Sequence, residues 1–157
     1  MNYAESQATD RQRNAFDAAT RTIHITRQDM DRLRFLIKSI QSSKARDDRD
    51  RPYLWTLESE LDRAVVVNAE EVPPDVVTMN SRVRLQDGPM AWIVTLVFPE
   101  DADPEHDRIS VLAPLGAALL GCHAGTTTSF RVPGGSLRSC EVMSVLYQPE
   151  AAGDMDL

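Results

Sequence analysis

The segment NAEEVPPDVV, residues 68 to 77, separates two stretches whose apolar residues repeat with different periods. Before it, Met30, Leu33, Ile37 and Ile40 are spaced by three, four and three residues, and Leu54, Leu57, Leu61 and Ala64 repeat that spacing, the seam of a coiled coil. After it, Val83 and Leu85 alternate with Arg82 and Arg84 as in a half-exposed strand, and WIVTLVF, residues 92 to 98, is apolar on both faces as in a central one. The paired prolines at 73 and 74 stop any helix that enters them. The pattern therefore predicts an α+β chain with a helical hairpin over 25–67, a linker over 68–77 and a strand-rich body over 78–150. Residues 1–24, which offer little bulk to bury, read as a mobile leader, and residues 151–157 as a tail.

Local signals sharpen these elements. Thr26 with Asp29 three residues on makes a helix start like a capping box, and Ile25 and Met30 occupy the positions of a hydrophobic staple. That first helix ends near Gln41. A polar tract, SSKARDDRDRP, follows at 42–52, with Pro52 suited to the first turn of a second helix. Two short helices with one narrow apolar stripe each cover one another best as an antiparallel pair. Sixteen residues of helix rise about 24 Å, so the hairpin is a stub rather than a rod. In the body, the Asp-Gly-Pro of QDGPMA is a hairpin turn between the first two strands, and PGG at 133–135 joins SFRV, residues 129–132, to SCEVMSVLY, residues 139–147. These four strands flank ISVLAPLGAALLG, residues 109–121.

That last stretch is the most apolar in the chain, yet at thirteen residues it falls short of the roughly 20 a membrane span needs. No apolar signal core opens the sequence, which points to a cytoplasmic protein. In that compartment Cys122 and Cys140 are buried thiols rather than a disulfide. The net charge of -7 is uneven: residues 1–72 hold 12 basic and 13 acidic residues, net -1, and residues 73–157 hold 5 and 11, net -6. Nucleic acid would have to approach the second half against that field, so a protein partner fits better.

The common chemistries fall away in turn. His24, His106 and His123 are scattered singly, and Cys122 beside His123 points away from it in an extended chain, so no metal site is expected. No G-x-S-x-G elbow is present. Gly116 and Gly121 have phosphate-loop spacing, but Cys122 and His123 stand where Lys and Ser or Thr belong. The acidic run PEDADPEHD, residues 99–107, lacks the spacing of a calcium loop and reads as solvated. No catalytic residue and no cofactor are assigned. One polar cluster could carry function: Asp47, Asp48 and Asp50 sit at the hairpin tip, where carboxylates could ligate a hard cation in another protein's pocket. Lys44, Arg46, Arg49 and Arg51 interleave with them and leave residues 42–52 at net +1.

Several segments in order, VVTMNSRVRL at 76–85, TLVFPEDAD at 95–103, ISVLAPLGAALLG, VPGG at 132–135 and EVMSVLYQPEAAG at 141–153, make the chain resemble the regulator of nucleoside diphosphate kinase family, related to the Gre transcript-cleavage factors. The resemblance covers residues 25–153. It implies an FKBP-like C-terminal domain, a small antiparallel sheet with one short helix, that docks on bacterial RNA polymerase near its secondary channel while the hairpin points in. It also implies a regulator that competes with Gre-type factors without stimulating cleavage, since a short hairpin with a mixed-sign tip falls short of the active-site metal. Neither a membrane nor a specific nucleic-acid sequence is expected as partner. A cleavage factor acting through the tip aspartates is one alternative. A prolyl isomerase or chaperone, for which Trp92, Phe98, Phe130 and Tyr147 would have to line a pocket, is another.

The family's docking loop falls on Ala113, Pro114 and Leu115 of this sequence. Ile109 and Val111 finish a strand before it, Pro114 opens a helix of about two turns, Leu115 and Leu119 share its core face, and Gly121 closes it. Two departures stand out. The family's usual serine is Ala113, which forgoes an N-cap bond worth about 0.5 to 2 kcal/mol, and its usual Gly-Asp is Gly125-Thr126, which alters a local turn.

Overall fold

The structure is a computed structural model that describes residues 23–43, 51–132 and 134–154. It is a mixed α+β fold. Ile23 leads into strand β1 (His24–Thr26) and helix α1 (Arg27–Ser42); helix α2 (Arg51–Asp62) and strand β2 (Val65–Val67) follow. The helix starts where the sequence predicts, with one half of the capping box formed: Thr26 is the N-cap and its Oγ1 accepts from the Asp29 amide at 3.2 Å. Leu33 and Ile37 on α1 and Leu54, Leu57 and Leu61 on α2 are buried, so the three-four spacing marks the packed faces. The Arg34–Asp62 ion pair at 2.9 Å and a 3.4 Å bond from Gln41 to Glu58 run in opposite chain order, the later α1 residue meeting the earlier α2 residue, which makes the pair antiparallel.

A small two-stranded sheet closes the open end of this hairpin. Strand β1 pairs in parallel with β2, His24 opposite Val65 and Thr26 opposite Val67. The sequence reading does not contain this sheet, because strands of three residues carry too little pattern to be read and their partner lies across the whole hairpin. His24 and Ile23, read as the end of the leader, belong to it: Ile23 is 1% exposed and its carbonyl accepts from the Val65 amide. Residues 1–22 lie outside the described residues.

The body is a curled sheet of five strands in the order β5-β4-β3-β7-β6, comprising β3 (Arg82–Asp87), β4 (Met90–Val97), β5 (Arg108–Ser110), β6 (Thr127–Arg131) and β7 (Leu137–Tyr147). The β3–β4 hairpin turns on Gly88 and Pro89, with Gly88 at φ 57°, as the Asp-Gly-Pro signal requires. The expectation of an antiparallel sheet needs one correction: β5 runs parallel to β4, Thr95 opposite Arg108. The loop from Phe98 to Asp107, with two turns of 3-10 helix, carries the chain back so that β5 enters in the same direction as β4.

One face of the sheet is dry. Val83, Leu85, Leu96 and Val142 are fully buried in one core with Leu119 of helix α3 (Pro114–Leu119), and this layer is continuous with Leu33, Ile37, Leu57 and Leu61 of the hairpin. Residues 68–77 are tied into the same body. Val76 and Val77 are fully buried, the Val77 amide donates to the Cys122 carbonyl, and Gln148 Nε2 donates to the carbonyls of Pro73 and Val76 at 2.8 and 2.7 Å. A last short helix, α4 (Pro149–Ala152), ends on Gly153 at φ 78°.

Candidate functional site: the loop before helix α3 and the hairpin base

Ser110 ends β5 and builds the loop that follows. Its carbonyl accepts from the Ala113 amide at 3.0 Å and its Oγ from the Leu112 amide at 3.1 Å. Ala113 takes extended N-cap angles, φ -67° and ψ 151°, and makes no side-chain cap bond, as its methyl side chain dictates. Pro114 then opens α3. Ala113, Pro114 and Leu115 are each half-buried, and Leu115 packs against the core by the side that Leu119 seals completely. The predicted trio is therefore one continuous, partly open bend whose backbone is pinned by Ser110. Ala113→Ser, placed in angles already right for a cap, should stabilise the protein by about 0.5 to 2 kcal/mol; an unchanged melting temperature would show that solvent already satisfies the first amides of α3.

Gly116 is the residue of this site that sequence reasoning passed over as half of a failed phosphate loop. A Cβ built on it would lie 1.9 Å from the Ser110 carbonyl oxygen and 2.8 Å from its carbon. The helix touches the strand end here backbone to backbone, which is what holds the bend in place. Farther on, Gly121 at φ 80° turns the chain against Ile23. The altered turn after the helix is regular: Gly125 takes φ 88°, its amide donates to the Val142 carbonyl at 2.7 Å, and Thr126 Oγ1 donates to the His123 carbonyl.

The remaining sequence candidates separate in space. Asp47, Asp48 and Asp50 lie outside the described residues. Cys122 is buried with its Sγ on the Ala118 carbonyl, while His123 is half-exposed beside Asp75. Cys140 is also a buried free thiol, pushed up to about 11 first by burial and then by Cys122. Among the described residues no group of three or more metal-ligating side chains comes together. Of the four aromatics, Trp92, Phe98 and Phe130 pack on the core, but Tyr147, opposite Arg82 on the exposed sheet face, points away from them. No helix among the described residues is long and apolar enough to cross a membrane.

The hairpin base meets the body at two places. On one side the Arg32 guanidinium lies 5.6 Å from the centre of the Phe98 ring, at the edge of a cleft of about 700 Å³ between α1 and the loop from Phe98 to Asp101. On the other side Asp29, only 6% exposed, lines a small cavity with Glu150 and Asp154, and Glu150 is itself held by Thr78 Oγ1 at 2.8 Å. Burial first, and the Glu150 carboxylate second, push the Asp29 carboxyl from 3.8 up to about 7, against a smaller lowering by Arg32. The folded chain therefore holds a proton that the unfolded chain releases. This contribution to stability is present below about pH 4 and is lost as the pH rises through about 7, with a slope of at most roughly 1.4 kcal/mol per pH unit. Asp29→Asn should flatten that slope in thermal melts across the range and melt higher than the parent above neutrality; parallel curves would refute the assignment.

Two family descriptions match the chain in succession, Rnk N-terminus over residues 21–67 and the C-terminal domain of the transcription elongation factors GreA and GreB over residues 72–147. The "Regulator of nucleoside diphosphate kinase" of Escherichia coli (strain K12) is 47% identical over 106 residues, which span 66% of this chain and 77% of that protein. The "Transcription elongation factor GreA" of Clostridium beijerinckii is 37% identical over 81 residues, and the match spans about half of each chain, 50% and 51%. A solved structure, "Prokaryotic transcription elongation factor GreA/GreB from Nitrosomonas europaea", is 38% identical, superposes with a TM-score of 0.66, and covers 80% of this chain and 98% of that one. The hairpin with its small parallel sheet, the five-stranded body and the pinned loop before α3 are thus the parts of a known type: the chain belongs to the regulator of nucleoside diphosphate kinase family, with a GreA/GreB-type C-terminal domain.

Proposed function

We propose that this chain is a Gre-related transcription regulator that binds bacterial RNA polymerase near its secondary channel, through an FKBP-like C-terminal domain, and competes there with Gre-type factors without stimulating transcript cleavage. The observation that carries the reading is the pairing of a GreA/GreB-type body with a short hairpin, whose helices have 16 and 12 residues and rise only about 24 and 18 Å. The bend at Ala113, Pro114 and Leu115 is the docking edge in this reading. Its backbone is fixed by Ser110 and Gly116, so little ordering entropy is lost on binding. The hairpin, working as a coiled coil, occupies the channel entrance, and the chain has no catalytic role of its own.

Competition on purified polymerase tests this directly. The chain should displace a labelled Gre factor, and absence of binding at micromolar concentration would end the proposal. A stalled, backtracked complex incubated with the chain should keep its RNA at full length. Shortened RNA that disappears when Asp47, Asp48 and Asp50 are changed to Ala would favour a cleavage factor instead.

A further inference from the structure

Among the described residues no element covers the face of the sheet opposite α3, and its composition differs from the rest of this acidic chain. Residues aligned across neighbouring strands share a face. On this one Arg82 lies between Thr95 and Tyr147, and Arg84 between Ile93 and Ser144. Both arginines are exposed, and no ion pair or hydrogen bond engages either side chain among the described residues. Two β-bulges in β7 enlarge the patch. The register against β3 jumps from Tyr147 to Val145 and from Ser144 to Val142, leaving Leu146 and Met143 as the extra residues. They are 49% and 41% exposed. A regular strand has no such extra residues, and here both are large and apolar.

Arginine, methionine and tyrosine are the residues enriched at protein interfaces, and here they adjoin on one surface with Leu146. The net charge of -7 disfavours acidic partners in general, whereas two guanidinium groups with no carboxylate partner among the described residues stand at the centre of this face and attract them. Glu141 and Asp154 stand at its rim, the latter bonded to the Tyr147 hydroxyl. We infer that the outer sheet face centred on Arg82 and Arg84, with Met143, Leu146 and Tyr147 around them, is a docking surface for a protein segment that presents carboxylates beside apolar side chains. It is separate from the bend at Ala113 to Leu115, since α3 covers the other face of the sheet.

The test uses the full chain, isotopically labelled, titrated with a short peptide of alternating Glu and Leu. Its Gln/Leu counterpart and a single-stranded oligouridylate of equal length are run beside it. Amide shifts should concentrate on β3, β7 and Ile93, with the Glu peptide binding at least about tenfold tighter than the Gln peptide and losing that margin at high salt. The R82E/R84E variant should lose the response while melting at the parent temperature, because both side chains are exposed. Equal binding of the two peptides, no localised shifts, or preference for the oligouridylate would overturn the inference. So would a dimer in sedimentation that R82E/R84E disperses, since the face would then belong to a second copy. Polymerase plays no part in this titration, so failure here and failure of the polymerase reading are separate results.

Discussion

Leu33→Ala should lower stability by about 2–5 kcal/mol, and the loss should appear in the sheet as fully as in the hairpin. Leu33 is completely buried, and the core that contains it runs without a break from Ile37, Leu57 and Leu61 of the hairpin to Val77, Leu85, Leu96 and Leu119 of the body. Truncation leaves a cavity between elements that hold one another in place, so it cannot collapse at the hairpin alone. Helicity and the fluorescence of Trp92, read in a Trp55→Phe background, should melt together, several degrees below the parent. A Trp92 transition left in place while helicity melts early would mean two independent units, despite the shared core.

Gly116→Ala should also destabilise, although alanine is the better helix former by about 1 kcal/mol. The obstacle is a backbone oxygen, that of Ser110, 1.9 Å from where the Cβ must go. A flexible side chain could swing aside; a carbonyl at the end of β5 that already accepts from the Ala113 amide cannot. The helix has to ride outward, at or beyond the upper end of the roughly 1–3 kcal/mol usual for overpacking. The shift lands on Ala113, Pro114 and Leu115, so under the proposed docking role affinity for polymerase should fall together with melting temperature. In contrast, Ala113→Ser changes the same loop and stabilises it. A Gly116→Ala protein that melts at or above the parent temperature would show that the close approach relaxes without cost.

The elements were legible where the pattern was long. Period three-four over 30–40 and 54–64 predicted two packed helices, and the alternation at 82–85 with the Asp-Gly-Pro turn predicted the β3–β4 hairpin. The cap at Thr26 and the uncapped start at Ala113 were readable because a cap depends on one side chain and the amides just after it. Ala113, Pro114 and Leu115 were placed by family likeness and occur together as one bend. The hairpin tip is the part of the candidate site on which the described residues say nothing.

What the sequence by itself determined, then, is which residues turn inward and where the chain must bend, since both follow from side-chain period and from the backbone limits of proline and glycine. Tertiary structure alone decided the parallel pairings of β1 with β2 and β4 with β5, the depth at which Asp29 keeps its proton, the backbone contact at Gly116, and the bulges that set Met143 and Leu146 beside Arg82 and Arg84. Each depends on what lies opposite a residue in space, and a period along the chain carries no record of its partner.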